Sequence, residues 1–314
     1  NTFVILIMSY KNKIITLLTI FSLMSVGWGC IDGVEVELWG ECYNIEETTS
    51  LYLLDWNLTG QIPSEIGNLI NLEYLHLGWN SLTGNVPSEI SNLSNLRELI
   101  LISNNFSGEI LSYLTEMENL IFLVLGGNNF SGQIPSEIGN LTNLEEFNLW
   151  GNNFSGEIPV EIGNLVNLER LWIDGNNFSG SIPEGIGDLE YIYSINISYN
   201  QLSGQIPESI CNLGLDWVQW DNYVTNGISN NNLCPPYPEC LTEEDIGYQD
   251  ISECFECSET NGDINNDTIL NILDIVSTVN CILSDSCNEC SDMNGDEIID
   301  ILDIVLMVND IMDI

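Results

Sequence analysis

Apolar residues return at a fixed interval of 24 positions through the middle of the chain. Seven units begin at residues 48, 72, 96, 120, 144, 168 and 192 and share the pattern L-x-x-L-x-L-x-x-N-x-[LF]-[ST]-G-x-[IV]-P-x-x-I-G-N-L-x-N. The alternating L-x-L segment predicts one short strand per unit, with its leucines facing inward. Because a single unit cannot bury its leucines alone, the units are expected to stack on one another.

The remaining positions of the pattern predict the path of each unit. An asparagine follows the strand at Asn80, Asn104, Asn128, Asn152, Asn176 and Asn200, and its amide can satisfy backbone groups freed where the chain bends. The Ser/Thr-Gly pair permits a turn. Ile-Pro is expected to start a second extended run, and Ile-Gly-Asn-Leu to close the unit as a short helical turn. Two units depart from the pattern, because Trp56 replaces an asparagine and Leu111 replaces a proline.

These repeats resemble the plant-type leucine-rich repeat. The resemblance covers residues 48–215 and implies an α/β solenoid, a right-handed superhelix with a parallel β-sheet on its concave face. The ends of such a stack need covers. Residues 30–47, with Trp39, are expected to form the N-terminal cap and residues 216–240 the C-terminal cap. Cys30 is expected to pair with Cys42, and Cys211 with either Cys234 or Cys240.

Side chains at the strand positions between the leucines are not set by the core. Several of them are aromatic, and an aromatic stripe of this kind indicates an interaction surface for a protein or a glycan. The alternative is that aromatic residues simply favour strands. His76 is the only histidine, so no catalytic triad or histidine zinc site is expected there. The predicted ligand-binding residues are Tyr52, Tyr74, His76, Trp79, Phe122, Trp150, Arg170 and Trp172.

The pattern changes after Cys240. Two segments 29 residues apart carry oxygen-bearing side chains at loop positions 1, 3, 5, 9 and 12 and a backbone carbonyl at position 7, which is the spacing of calcium loops. Each precedes one apolar helix. Two calcium ions are therefore predicted, with ligands Asp263, Asn265, Asp267, Ile269, Asn271 and Asp274 in the first loop and Asp292, Asn294, Asp296, Ile298, Asp300 and Asp303 in the second.

The duplicated loop, with Asp at position 12 and a single following helix, resembles the dockerin module over residues 259–314. That resemblance implies a small all-α calcium-binding domain that docks to a cohesin-like partner through loop positions 10 and 11, here Ile272, Leu273, Ile301 and Leu302. Thr268 and Glu297 occupy the usual glycine position 6, which is expected to weaken calcium binding. Residues 241–258 are interpreted as a linker.

Ten cysteines indicate disulfides in an exported chain. Cys254 and Cys257 form one CxxC motif, and Cys287 and Cys290 form another. Disulfides are the favoured interpretation for these four, with Cys281 also needing a partner, and a zinc site is the alternative.

The chain has 4 basic and 47 acidic residues, and this balance argues against nucleic acid or an anionic membrane as a partner. Residues 1–29 combine Lys11 and Lys13 with an apolar run from 14 to 26, which predicts a secretory signal peptide. A lipid anchor at Cys30 is the alternative. An extracellular protein, free or attached to the cell surface, is expected.

Three functions are compatible with these features. The favoured one is a non-catalytic binding or adhesion protein, since repeats and caps leave no room for a catalytic domain. An enzyme delivered by the C-terminal module is the second. The third is an accessory component of polysaccharide degradation, an inhibitor of glycan-degrading enzymes, or an ice-binding surface, although no flat array of Thr or Ser is present.

Overall fold

A computed structural model of the protein describes residues 29–215, 217, 226–251, 254, 262, 264, 270–284, 291, 293, 294 and 298–312. The predicted signal peptide therefore lies outside the described residues, apart from Gly29. The chain divides into two compact units. The first contains the repeats and residues 236–248, and the second contains residues 232–235 and the C-terminal helices.

The seven repeats form seven stacked coils, each contributing one strand to a parallel sheet, as the L-x-L pattern predicts. Equal positions of neighbouring coils pair in register, for example Leu75 with Leu99 and Leu99 with Leu123. The front sheet, as we call it, consists of strands Ser50–Tyr52, Tyr74–His76, Glu98–Ile100, Phe122–Val124, Glu146–Asn148, Arg170–Trp172 and Ser194–Asn196.

A second parallel sheet occupies a part of the coil where the sequence predicted a turn. The N-x-[LF]-[ST]-G segment is itself extended, with its glycine at positive φ, so the second strand precedes Ile-Pro instead of starting there. The expectation for Ile-Pro was therefore wrong. The strands of this sheet within the repeats are Thr59–Gly60, Ser81–Asn85, Asn105–Gly108, Asn129–Gly132, Asn153–Glu157, Asn177–Gly180 and Gln201–Gln205.

Short 3₁₀ helices close most coils, and the repeat proline directly precedes each of them with extended backbone angles. They span Ser64–Asn68, Ser88–Asn92, Ser136–Asn140, Val160–Asn164, Glu184–Asp188 and Glu208–Leu213. The third coil has helix α1 (Leu111–Leu114) instead. Because Leu111 replaces the proline, Ile110 is free of the restriction that a following proline imposes and adopts helical angles.

Repeat asparagines bind the coils to one another in a buried ladder. The Asn128 amide donates to the carbonyls of Leu125 and, in the preceding coil, Leu101, while its oxygen accepts the N–H of Phe106. Beside this ladder, four fully buried phenylalanines stack with ring centroids 5.9 to 6.4 Å apart: Phe106, Phe130, Phe154 and Phe178. Every coil is thus held by its neighbours as much as by itself.

The ladder continues into the segment expected to be a cap. Asn231 donates to the carbonyls of Ile197 and Ile228 and accepts the N–H of Leu202. Its distance from Asn200 is 31 residues instead of 24, so the regular period does not reveal it. Helix α2 (Glu243–Ile246) begins with a capping box at Thr242 and lies within the segment interpreted as a linker.

At the other end an antiparallel hairpin, Glu35–Leu38 and Glu41–Asn44, forms the N-terminal cap. The Cys30–Cys42 disulfide closes it, as expected. Cys211 pairs with Cys240, one of the two partners considered.

The second unit contains strand Asn232–Cys234 and helices α3 (Ile272–Ser284) and α4 (Ile301–Ile311). Cys234 pairs with Cys254, so a zinc site that uses Cys254 is ruled out. Cys281 is also disulfide-bonded. Cys257, Cys287 and Cys290 lie outside the described residues. Within the part of the chain that the structure describes, no helix is long and apolar enough to cross a membrane.

Candidate functional site

The side of the front sheet that points away from the core carries all eight predicted ligand-binding residues. In-register pairing arranges their side chains in rows that run across the coils. One row runs through Tyr74, Glu98, Phe122, Glu146 and Arg170, and the next through Tyr52, His76, Ile100, Val124, Asn148 and Trp172. We call this side the front face.

Aromatic side chains pack together at the N-terminal end of the front face. The rings of Tyr52 and Tyr74 stack at 6.1 Å, and the Tyr52 ring meets the His76 ring edge-on at 4.7 Å. His76 Nε2 lies 2.6 Å from a carboxylate oxygen of Glu98. These contacts with Tyr52 and Glu98 fix the orientation of His76, the sole histidine. A side chain with a fixed orientation suits a binding surface.

Arg170, the basic residue of the front face, is bound by other residues of the protein. Arg170 contacts the buried Glu146 carboxylate at 2.6 and 2.8 Å and also bonds to the Tyr193 hydroxyl. Trp172 donates its indole N–H to Ser194 at 2.8 Å. These partners fix both side chains, so Arg170 offers little free charge to an anionic ligand.

The residue just before each ladder asparagine has a left-handed backbone. Its φ lies between 54° and 65° in every coil, including Trp79, Tyr199 and the glycines Gly127, Gly151 and Gly175. Bulky residues avoid this conformation, which costs on the order of 1–3 kcal/mol. Yet Trp79 and Tyr199 hold it and are 55% and 63% exposed. Because the conformation recurs in every coil, it belongs to the repeat, and the departure at these two positions is the bulky exposed side chain where other coils have glycine.

Two of these glycines form an open floor on the front face. A Cβ added to Gly151 would meet only backbone of Gly127, and one added to Gly175 only backbone of Gly151. On one side the floor is bounded by the indole of Trp150, which lies so close over Gly126 that a Cβ there would come within 2.3 Å of it. Tyr199 follows on the other side. We call Gly151 and Gly175 the glycine floor.

Asp174 stands directly beside the glycine floor, between Trp150 and Ser198 in the same row. Burial raises the pKa of its carboxyl from 3.8 to about 6, partly offset by a backbone hydrogen bond. Among the described residues, the Lys and Arg side chains are those of Arg97 and Arg170. They pair with Glu73 and Glu146, not with Asp174. The repeat pattern places Asp174 at a strand position outside the core, but nothing in the sequence distinguishes it from the other polar residues there.

The two predicted calcium loops are built alike where they are described. Asp274 and Asp303, the residues at loop position 12, are both fully buried. Asp274 accepts the N–H groups of Ile264 and Asn271 at 3.0 and 2.8 Å, and Asp303 accepts those of the equivalent residues Met293 and Asp300 at 2.9 and 2.8 Å.

Buried carboxylates are costly unless they are hydrogen-bonded or bind a cation. Two oxygen donors turned inward at equivalent points of two loops fit the hard-oxygen chemistry of calcium. Of the other predicted ligands, Asn271, Asn294, Ile298 and Asp300 are described, whereas Asp263, Asn265, Asp267, Ile269, Asp292 and Asp296 lie outside the described residues, as do Thr268 and Glu297. The described half of each loop is compatible with the predicted site.

The two helices of the second unit contact each other through Thr278 and Met307, both fully buried, with Thr278 Oγ1 3.2 Å from the Met307 sulfur. The apolar residues Val276, Val279 and Val305 on the same helices are exposed. The predicted partner-docking side chains, Ile272, Leu273, Ile301 and Leu302, are each more than half exposed.

Comparisons with known proteins place the repeats. A family model described as a leucine-rich repeat region matches residues 51–181, and a leucine-rich repeat model matches residues 191–213. No curated protein matches this chain. Both family-model matches lie within the repeats.

Three solved structures from Arabidopsis illustrate the similarity. The ectodomain of the receptor kinase GASSHO1/SCHENGEN3, in complex with CASPARIAN STRIP INTEGRITY FACTOR 2, is 37% identical over 57% of this chain and 20% of its own length, with a TM-score of 0.52. The ectodomain of the receptor kinase HAESA, in complex with an N-terminally extended IDA peptide hormone ligand, is 37% identical over 59% and 30%, with a TM-score of 0.52.

The ectodomain of the receptor kinase SOBIR1 is 36% identical over 40% of this chain and 68% of its own length, with a TM-score of 0.39. The chain thus spans less than a third of the length of the first two. The repeat motif, the two parallel sheets, the family-model matches and the similarity to the first two structures lead to one conclusion: residues 51–213 of this chain form a leucine-rich-repeat solenoid similar to those of plant receptor ectodomains.

Proposed function

We propose that this protein is an extracellular, non-catalytic binding protein whose front face takes a peptide or protein ligand. The observation that carries the proposal is the set of aromatic side chains that the front face keeps exposed, two of them on strained left-handed backbone. Large rigid rings provide contact area at a low cost in conformational entropy. The peptide hormone ligand named for the HAESA ectodomain favours a peptide over a glycan.

Selection from a library of random heptapeptides displayed on phage tests this proposal without assuming a sequence or a charge. We expect selected peptides to bind the full chain and to lose at least about tenfold in affinity on the double substitution Trp79→Ala/Trp150→Ala, as hot-spot aromatic residues do. Tyr191→Ala is the matched control, because Tyr191 is 59% exposed outside the front-sheet strands. Peptides that bind both variants as well as the parent would refute the proposal.

A second function is proposed for the C-terminal unit, namely calcium-dependent docking to a cohesin-like or cell-surface partner. It is supported by the equivalent buried Asp274 and Asp303 and by the four exposed apolar residues at loop positions 10 and 11. Bound calcium would supply positive charge to the inward-facing carboxylates, with Asp274 and Asp303 holding one ion each together with the remaining predicted ligands. The apolar pair on each loop offers a surface for a partner, and the shape of that surface depends on the loops being ordered.

Calorimetric titration of the full chain with calcium tests the metal sites. We expect two ions per chain, one ion after Asp274→Asn or Asp303→Asn, and none after both substitutions, because each removes the charge of one buried ligand. Asp310→Asn, on the exposed end of α4, serves as the control and should keep two ions. Equal stoichiometry in all variants would show that the calcium, if bound, is held elsewhere.

A further inference from the structure

The front face is short of free positive charge, which restricts the ligands it suits. Among the described residues, Lys and Arg are represented by Arg97 and Arg170 alone, and each lies next to a glutamate. The Arg170 guanidinium contacts Glu146 twice and also lies over the Tyr193 ring at 5.7 Å. A ligand carboxylate, phosphate or sulfate would therefore find no uncommitted cation among the described residues of this face, while the chain as a whole carries a formal net charge of −43.

The glycine floor has the complementary features. It is open above Gly151 and Gly175, bounded by the Trp150 ring and Tyr199, and Asp174 stands at its edge without a cationic partner among the described residues. Asp174 would attract a lysine or arginine side chain by Coulomb interaction, and the Trp150 and Tyr199 rings at the two ends of the floor supply faces for cation–π contact.

The distance between the two walls of the glycine floor indicates the size of the segment that would fit. The coils that carry Gly127 (beneath the Trp150 ring), Gly151, Gly175 and Tyr199 are consecutive, and each of these glycines donates its N–H to the next coil. Three steps of about 4.8 Å give about 14 Å, which corresponds to about four residues of extended chain. The side chains that point down from such a segment alternate, so one or two of them can reach the floor.

We propose that the front face binds an extended basic peptide segment along the glycine floor, with a lysine or arginine of the peptide held at Asp174 between Trp150 and Tyr199. This inference rests on the proposed function of the front face and specifies its ligand. Glycine at both positions keeps this space free, because a side chain at either would fill it, and Tyr199 bounds it at one end.

Three fluorescein-labelled heptapeptides test the inference by fluorescence anisotropy with the full chain. The first is Gly-Arg-Ser-Arg-Ser-Arg-Gly, and the other two carry glutamine or glutamate in place of arginine. At about 0.15 M salt, where long-range attraction is largely screened, we expect the arginine peptide to bind at least about tenfold more tightly than the others.

Matched variants separate the site from the general acidity of the chain. Asp174→Asn is expected to weaken the arginine peptide about tenfold and leave the glutamine peptide unchanged, whereas Glu208→Gln, an equal loss of charge at an exposed position outside the front sheet, should change either by less than about twofold. Tyr199→Ala is expected to weaken binding of the arginine peptide about fivefold, with Tyr191→Ala as its control.

Two results would overturn the inference. Equal effects of Asp174→Asn and Glu208→Gln would mean that only general charge attraction is involved, and failure of the arginine peptide to bind would mean that basic character is not what the face recognises. If the glutamine peptide bound as tightly and still required Trp150, the face would remain a peptide-binding site and this inference alone would fail. The library selection, which favours no charge, tests the proposed function separately.

Discussion

The carboxyl group of Asp174 occupies a place that does not favour its charge. Burial raises its pKa from 3.8 to about 6, so the folded protein holds the proton more tightly than the unfolded chain does. The contribution of this carboxyl group to the stability of the fold is therefore fully present below pH ~4 and is lost as pH rises through about 6. A bound cation would offset this cost.

Replacement of this carboxyl by an amide should stabilise the free protein in a pH-dependent manner. A shift of about two pKa units corresponds to about 3 kcal/mol, and partial solvent screening reduces this to about 1–2 kcal/mol. We expect Asp174→Asn to raise the free energy of unfolding by that amount at pH 7.5 and to leave it unchanged at pH 3.5. Urea denaturation at both pH values measures this. A gain of equal size at pH 3.5 would contradict the explanation, and Glu208→Gln provides the control.

Residue types at the front face follow from the repeat, but their surroundings do not. The pattern identifies which positions escape the core, and so the amino-acid sequence alone selects Trp79, Trp150 and Arg170. It does not show that Arg170 is bound by Glu146 one coil earlier, because that contact depends on the rotamers of both side chains. The left-handed position was visible in principle, since glycine recurs there at Gly127, Gly151 and Gly175.

Among the structural elements, the asparagine ladder is the one whose loss should lower the stability of the protein most. Asn128→Ala would leave the N–H of Phe106 without its buried acceptor, whereas the carbonyls of Leu101 and Leu125 would keep the amides of Asn104 and Asn152 as donors. An unsatisfied buried group costs about 1–3 kcal/mol, so we expect a loss of about 2 kcal/mol in the free energy of unfolding, measured by urea denaturation.

The neighbouring asparagine provides a matched control for this substitution. Asn129 is exposed at the start of a second-sheet strand, and Asn129→Ala should change stability by less than about 0.5 kcal/mol. A similar loss for both variants would mean that strand propensity, and not the ladder, determines the effect.

Elements of the two units differ in how well sequence predicts them. The front strands and the short helices at the Ile-Gly-Asn-Leu segments are set by a pattern repeated seven times. Helices α3 and α4 have apolar residues on most sides, so their period does not select the buried face. Asp274 and Asp303 are buried with Thr278 and Met307, while Val276, Val279 and Val305 are exposed.

For the whole chain, periodicity predicts the solenoid and its first seven coils and then fails at a single point. Asn231 holds the ladder position of a further turn, but seven extra residues separate it from the expected register. The disulfide between Cys234 and Cys254 is also beyond sequence reasoning, because several cysteines are spaced closely enough to pair. Charge is more informative: 47 acidic residues argue against anionic partners, and the paired arginines extend that argument to the front face.

The left-handed residues ahead of the ladder asparagines give the front face a regular spacing. Each coil contributes one such residue, and neighbouring ones are separated by one strand spacing of about 4.8 Å. Duplicating a coil between Trp150 and Tyr199 would lengthen the glycine floor by one such spacing without altering the residues that bound it. In the proposed binding mode, the number of coils would therefore set the length of the bound segment, independently of the residues that contact its side chains.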